Sequence, residues 1–319
     1  MNNIVIAGAG TFGTAVAERL AWNINNRVTL HTIEKDVEKE INEKHTNRKY
    51  FPTRFLNRYL SATSDFSIFK EADVVMLVIP SKAIVTFSEE IRKNTNREPL
   101  IINLAKGMSD DGAFITENIP FKRTASMKGP SFAIETINGF PTSFTFGGKK
   151  EDYDYFRKEV LPDTQFSLDY SSDVRAVELM SILKNMYAIA IGIVSGKFNS
   201  PNVDFLVYTK AVNEMRALLK IFSCDEETIF RYCGIGDLGL TALNDLSRNR
   251  TLGMLIGKGF GYDPDSKSST VVEGLRTVKL IGEITRNKGV AEDFPLVQSL
   301  YKLLYEGDNL NSYTLTVLG

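Results

Sequence analysis

A glycine-spaced turn stands near the start of this chain, Gly8-Ala9-Gly10-Thr11-Phe12-Gly13, and few folds can carry it where it stands. It follows directly on an apolar segment, Ile4–Ala7, and leads directly into a helical pattern. There, Gly8 permits a tight strand-to-helix turn, Gly10 lets a pyrophosphate approach the backbone, and Gly13 lets helix and strand come close. The helix N-terminus beyond it offers unpaired N–H groups and the positive end of a dipole, both favourable to phosphate. GxGxxG alone is a weak signal, since any tight strand–helix turn can carry it. Its flanks, and the alternation of strands and helices beyond it, point to a dinucleotide.

Further apolar runs stand at Val28–Leu30, Val74–Ile79 and Leu100–Asn103, with weaker ones at Thr124–Met127 and Ser143–Phe146. Helical stretches near 13–24, 34–44, 82–94 and 110–119 alternate with them. The run VVMLVI is apolar on both faces, as a central strand of a parallel sheet should be. From about Ser171 strand signals disappear, and helical patterns take over at 173–196, 204–222, 225–233, 237–258, 271–288 and 295–306. The first of these is dense in small and apolar residues and predicts a buried central helix. GYDPDSKSS at 261–269 reads as a loop between helices. The expected fold class is α/β: a Rossmann-type doubly wound sheet over residues 1–170, then an all-helical domain over 171–319.

Composition narrows the chemistry. Lys and Arg number 38 against 39 Asp and Glu, so no global basic field exists to hold nucleic acid or an anionic membrane. With two His and two Cys, a multi-ligand His/Cys metal site is not expected. His31 and His45 both lie in segments without a nucleophile motif. Cys224 and Cys233 imply no disulfide framework, which fits a reducing compartment. MNNIVIAGAG reads as a strand start, not a signal peptide. The most apolar later run, Met186–Val194, is far below the roughly 18 residues a membrane span needs. These features predict a cytoplasmic protein with no integral membrane segment, whose chemistry rests on Lys, Arg, Asp, Ser and backbone.

The second strand pattern closes on His31-Thr32-Ile33-Glu34. An acidic residue about 20 positions beyond the glycines takes the ribose 2′-hydroxyl in NAD sites, and it repels the 2′-phosphate of NADP. Glu34 fills that place, which favours NAD over NADP, with Lys35 available to soften the preference. Its other reading is a first-turn residue on a solvated helix, EKDVEKEINEK.

Three later clusters carry polar chemistry. Lys184 is embedded among Ile182, Leu183, Met186, Tyr187 and Ile189. A lysine so placed loses hydration, and its pKa falls from roughly 10.4 toward neutrality unless a carboxylate holds it charged. That is what proton transfer at a carbonyl needs; the alternative is an ammonium snorkelling to the helix edge. In CGIGDLGLTALNDLSRNRTLG (233–253), Gly234, Gly236 and Gly239 surround Asp237, and Ser247, Arg248, Asn249 and Arg250 come after. A hydroxyl, a guanidinium fork and an amide in sequence can meet one phosphate. Asp237 is either a carboxylate aimed inward by a special turn or a helix N-cap in a polar run. The third cluster joins Lys106-Gly107 to Gly129-Pro130-Ser131-Phe132-Ala133-Ile134-Glu135. Both segments follow strands, at the C-terminal sheet edge where open α/β folds bind ligands. Lys106 there is either a clamp for an anionic substrate or a simple turn lysine.

GAGTFGTAVA at 8–17, IPS at 79–81, KG at 106–107, GPSFAIE at 129–135, LKN at 183–185, GDL at 236–238, SRNR at 247–250 and VVEG at 271–274 stand in order. As an ordered set they resemble the bacterial NAD(P)-dependent glycerol-3-phosphate dehydrogenase family, over essentially the whole chain. The resemblance implies reversible hydride transfer between NAD(P)H and dihydroxyacetone phosphate, giving sn-glycerol 3-phosphate for phospholipid synthesis. It implies that Lys184 protonates the carbonyl oxygen as hydride arrives, with Asp237 holding it in position. Lys106, Gly129, Ser131, Lys184, Asp237, Ser247, Arg248 and Asn249 match substrate-contacting positions. Thr11, Phe12, Lys106, Ala133, Arg248, Val271 and Glu273 match cofactor-contacting ones, beside the glycine turn and Glu34. A small phosphorylated substrate and a homodimer are implied as partners.

The chain also departs from that pattern. Ile33 stands where many members carry a basic residue or His able to meet a 2′-phosphate, which strengthens the NAD preference. Ala242 replaces a frequent Cys, Lys210 falls where Arg is usual, and FNSPNVDF (198–205) replaces a glycine-rich stretch; the last two bear on substrate affinity. Two other functions fit the architecture. One is a dehydrogenase for another small phosphorylated or carboxylated 2-oxo compound; the other is a nucleotide-binding regulator without turnover, which the intact Lys184, Asp237 and SRNR argue against.

Overall fold

The structure, a computed structural model, describes residues 1–108, 112–260 and 273–319. They form two compact units, Met1–Glu178 and Leu179–Gly319. The expected loop at 261–269 and Val271 lie outside the described residues, as does the start of the expected helix at 110–119.

The first unit holds one sheet of eight strands. They are β1 Asn2–Ala7, β2 Asn26–His31, β3 Ser61–Thr63, β4 Val74–Leu77, β5 Leu100–Asn103, β6 Thr124–Lys128, β7 Thr142–Gly147 and β8 Phe166–Ser171. Spatial order is β3-β2-β1-β4-β5-β6-β7-β8. The pairings from β3 through β6 are parallel, β7 runs antiparallel to β6, and β8 is parallel to β7. The first six strands give the Rossmann order, whose winding reverses between β1 and β4, the switch point at which such sheets take ligands. Helices α1 Thr11–Leu20, α2 Lys35–Lys44, α3 Ile84–Asn94, α4 Ala133–Ile137 and α5 Lys150–Tyr155 connect them.

The central strands read as apolar runs because both faces are covered. Ile4, Ile6, Val74, Met76, Leu100 and Ile102 point into a core with Val16 and Leu20 of α1 and Val37 and Ile41 of α2. Their neighbours Val5, Ala7, Val75, Leu77 and Ile101 point into a second core with Ile84 and Ile91 of α3. His31 ends β2 between the rings of Phe66, Phe69 and Phe87, at centroid distances of 5.6, 5.1 and 5.6 Å. Burial there pushes its pKa below the ordinary value, so it is a neutral packing group. Two strands escape the sequence pattern. β3 is three residues long, and β8 spells FSLDYS, polar enough to resemble a connecting segment. β8 nonetheless pairs along its length with β7, from Thr142 opposite Phe166 to Gly147 opposite Ser171. An outer strand, half-buried, carries no apolar run to announce it.

Helix α6, Val174–Phe198, begins in the first unit and continues into the second. The rest are α7 Pro201–Ile221, α8 Asp237–Ala242, α9 Arg248–Gly257, α10 Glu273–Asn287, α11 Pro295–Tyr305 and α12 Leu310–Leu318, with no strand among the described residues of this unit. The helix expected over 237–258 is in fact two. Asn244 Oδ1 accepts from the Leu246 N–H at 2.9 Å, a local turn that competes with helix, and Ser247 then caps α9. The helix expected over 225–233 is a short 3-10 turn, Glu226–Phe230, capped by Asp225.

Taken as a whole, α6 is long and apolar enough to cross a membrane by length and composition. Its most apolar 18-residue window is entirely buried inside the protein. The unbroken run Met186–Val194 understates this helix, because Lys184, Asn185 and Ser195 interrupt the run without making the element polar. Helix α9 lies against it along a seam of glycines. A Cβ on Gly192 would stand 2.4 Å from the Arg250 carbonyl oxygen, and one on Gly253 would stand 2.2 Å from that of Ile189. Gly196 and Gly257 continue the seam one turn on, against Met254 and Ile193. Backbones come this close only where no side chain intervenes.

Candidate active site

The glycine turn divides into two kinds of position. Gly8 has φ +111°, and a Cβ there would lie 2.5 Å from the Val78 carbonyl oxygen; at Gly13 it would lie 1.9 Å from that of Gly8. The protein itself demands both. A Cβ on Gly10 would meet nothing within 4 Å. Gly10 is the N-cap of α1 and provides no side-chain cap. Open space over a helix start whose first N–H groups lack a cap fits an approaching pyrophosphate. Thr11 is exposed in that first turn, and Phe12 turns inward, its ring 6.5 Å from that of Phe144. Beneath the turn, the buried Asn47 donates from Nδ2 to the Ala9 carbonyl and to Thr14 Oγ1, both at 3.0 Å. Sequence pattern gave no sign of this support, since an isolated Asn after a helix has no periodicity to mark it.

Glu34 stands three residues beyond the end of β2 and N-caps α2 by position, without a side-chain cap. Tyr50 donates its hydroxyl to Glu34 Oε1 at 2.8 Å, and Lys49 makes an ion pair with Oε2. These two partners hold the Glu34 carboxyl below its ordinary pKa. Lys35, the expected cation, is turned instead to Ser64 Oγ and to Glu38 at 3.6 Å.

At the C-terminal ends of β5 and β6, Lys106 is exposed and has no hydrogen bond or ion pair among the described residues. The residues just before it are held by buried side chains. The buried Lys128 donates to the carbonyls of Asn103 and Ala105 at 2.8 and 2.7 Å, and Asn103 donates to the buried Glu178 at 2.5 Å. Ser131 Oγ donates to the Gly129 carbonyl at 3.0 Å. A Cβ on Gly129 would lie 2.2 Å from the Ser143 carbonyl oxygen. Ala133 opens the short helix α4.

The second unit contains a buried ion pair. Lys184, on α6, meets Asp237, the first residue of α8, with side-chain exposures of 5% and 2%. Lys184 therefore does not snorkel to the helix edge. Nor does Asp237 serve as the N-cap, a place occupied by Gly236. A buried ammonium is tolerated where a carboxylate meets it. Beside the pair, Asn185 donates to Glu273 Oε2 at 3.2 Å and accepts from Asn249 Nδ2 at 3.0 Å. Asn249 in turn accepts from the Gly274 N–H at 3.1 Å. Asn185, to which the sequence pattern assigned no role, thus links α6, α9 and α10; its place beside Lys184 was the available signal.

Ser247 caps α9, Arg248 is exposed and has no partner among the described residues, and Asn249 lies in the same turn. Arg250 has a different task, donating to Ser195 Oγ at 3.0 Å and to the Ala242 carbonyl at 2.7 Å. Lys210 donates to the Val317 carbonyl at 3.0 Å. In the 198–205 segment, Asn199 takes the left-handed conformation at φ 47°, and Pro201 opens α7. The expected residues fall in two groups: the glycine turn, Glu34, Lys106, Gly129, Ser131 and Ala133 in the first unit, and Lys184, Asp237, Ser247, Arg248, Asn249 and Glu273 in the second.

Residues 3–154 match the family described as the NAD-dependent glycerol-3-phosphate dehydrogenase N-terminus, and residues 173–314 match its C-terminus. The glycerol-3-phosphate dehydrogenase (NAD(P)+) of Methanothermobacter thermautotrophicus is 31% identical over 97% of this chain and 95% of its own. That of Staphylococcus saprophyticus is 29% identical over 100% of this chain and 98% of its own. The crystal structure of glycerol-3-phosphate dehydrogenase from Coxiella burnetii superposes with a TM-score of 0.86 at 25% identity, covering 99% of this chain and 98% of that one. The glycerol-3-phosphate dehydrogenase of Plasmodium falciparum, at 20% identity and a TM-score of 0.88, has the same fold over 100% of this chain and 95% of its own. With both parts matched in order over nearly the whole sequence, the chain belongs to the NAD-dependent glycerol-3-phosphate dehydrogenase family and is an NAD(P)-dependent oxidoreductase.

Proposed function

We propose that this enzyme interconverts dihydroxyacetone phosphate and sn-glycerol 3-phosphate, with NADH preferred to NADPH and with Lys184 as the proton donor. The observation that carries the proposal is the buried ion pair of Lys184 with Asp237. When bound, the nicotinamide supplies the hydride. Negative charge then grows on the ketone oxygen, where the Lys184 ammonium stabilises it and delivers a proton. Asp237 holds Nζ in one place and balances its charge between turnovers.

In the second unit, Ser247, Arg248 and Asn249, at the start of α9, are assigned to the substrate phosphate; Lys106, Gly129 and Ser131 of the first unit are assigned to substrate contact. Grip on the remote phosphate orients the reacting carbon. Gly8, Gly10, Thr11, Phe12, Gly13, Ala133, Val271 and Glu273 are assigned to the cofactor, with Lys106 and Arg248 shared and Glu34 on the ribose. The sequence-predicted boundary near residue 170 falls inside β8, so the nucleotide role is assigned to the unit Met1–Glu178 and the substrate role to Leu179–Gly319. We assign the product to phospholipid supply in the cytoplasm and the working form to a homodimer; the buried thiols of Cys224 and Cys233 are compatible with a reducing compartment.

The test is NADH oxidation driven by dihydroxyacetone phosphate. Lys184→Ala should lose at least about 100-fold in kcat, and near-normal turnover would overturn its role. Arg248→Ala separates this substrate from unphosphorylated 2-oxo compounds, because an enzyme without phosphate recognition would be indifferent to it. A preference for NADPH would overturn the assignment of Glu34.

A further inference from the structure

Glu34 shares its carboxylate with two neighbours that the expected cofactor contacts do not include. Tyr50 holds Oε1 and Lys49 holds Oε2. The neighbouring cations Lys35 and Arg48 are more exposed, at 80% and 63%, but pair with Glu38 and Glu40 rather than with Glu34. Lys49 differs from a structural lysine in its exposure. Its side chain is 53% exposed, with the ammonium 5.6 Å from the Tyr50 ring centroid. The segment that carries it is fixed relative to the glycine turn. Asn47 is fully buried, donates to the Ala9 carbonyl within that turn, and accepts from the Tyr50 and Phe51 N–H groups at 3.1 and 2.8 Å.

A carboxylate has about four acceptor sites, so with Tyr50 and Lys49 in place Glu34 still has lone pairs for ribose hydroxyls. A bare Glu34 would repel a 2′-phosphate, whereas its ion pair with Lys49 offsets that charge. Its ammonium is a compact charge on a flexible stem, able to pass from the carboxylate to a phosphate oxygen. We propose that Lys49 is a specificity-determining residue: it makes NADPH an accepted second cofactor, while Tyr50 keeps Glu34 oriented for NADH. The proposal rests on Glu34 as the ribose-binding residue.

Steady-state kinetics with each cofactor in turn test it, using the wild type, Lys49→Ala, Lys35→Ala and Glu34→Gln. Lys49→Ala should raise KM for NADPH at least about fivefold while KM for NADH moves less than about twofold. Glu34→Gln should raise KM for NADH and lower it for NADPH, and Lys35→Ala should leave the ratio of the two unchanged. An unchanged ratio in Lys49→Ala overturns the inference, even where Glu34→Gln still weakens NADH. Equal losses with both cofactors in Lys49→Ala also overturn it, because they mark a structural role. If Glu34→Gln leaves KM for NADH untouched, the ribose assignment itself fails and takes this inference with it.

Discussion

At its glycine turn the first unit presents backbone N–H groups at the start of α1 and open space above Gly10, whereas the cluster on α6, α8 and α9 of the second presents side chains: an ammonium, a guanidinium, a hydroxyl and amides. Even the supports differ. The glycine turn is shaped by close backbone contacts, with Cβ positions at Gly8 and Gly13 blocked by carbonyl oxygens. Lys184 is held by a carboxylate on another helix, and Asn249 by an amide on α6. A site made of absent atoms fails when atoms are added; a site made of side chains fails when atoms are removed.

Experiment can break the contrast, and the buried ion pair is where it should give way furthest. Asp237→Ala leaves the Lys184 ammonium buried without its carboxylate, which should cost about 3–5 kcal/mol of stability and at least about 100-fold in turnover. Urea unfolding alongside the NADH-linked assay reads both, and a stable, active Asp237→Ala would mean the second unit does not depend on this pair.

The next test concerns another buried carboxylate of the second unit. Glu214, on α7, accepts from the N–H groups of Leu296 and Val297 at 2.6 and 3.2 Å and from the Tyr187 hydroxyl at 3.1 Å. Burial pushes its pKa up to about 7, against the opposing pull of those hydrogen bonds. A carboxyl raised in the folded state contributes stability that is full below its unfolded value of about 4.5 and is lost as pH rises through about 7. Unfolding free energy should therefore fall by up to about 3 kcal/mol between pH 4.5 and 8 on its account. Glu214→Gln should lack that slope; a wild type and variant with parallel pH profiles would exclude the effect.

Gly192→Ala adds one methyl to the seam between α6 and α9, against the Arg250 carbonyl, and should destabilise by about 1–3 kcal/mol in thermal unfolding. The mildest change is expected at Gly10. Its backbone, at φ −72° and ψ −173°, suits any residue, so Gly10→Ala should alter stability by less than about 0.5 kcal/mol. It should still raise KM for NADH about tenfold, because the methyl enters the space the pyrophosphate would use. A stability loss there would place Gly10 with Gly8 and Gly13 and blur the contrast.

The same contrast explains what could be read in advance. Glycine spacing between a strand and a helix is a local pattern, and VVML reads as a central strand because both its faces are covered. Partners across the chain are not local. Nothing between residues 184 and 237 announces that these two side chains meet; the sequence shows only that a buried lysine needs a carboxylate. Lys49, Tyr50 and Asn47 were invisible for the same reason, since they act through a loop whose course no periodicity describes. The break between α8 and α9 was hidden by an apolar pattern that runs on past Asn244.

The glycine seam of α6 and α9 has a consequence for how this sequence can change. No amino acid is smaller than glycine, so drift at Gly192, Gly196, Gly253 and Gly257 can only add bulk. Nor can bulk added on one helix be offset by trimming the other, because what stands opposite is backbone. Inheritance along this line of contact is a ratchet with a single tooth. New substrate preferences in descendants of this chain should therefore arise from exposed groups such as Lys106 and Arg248, with the four glycines left standing.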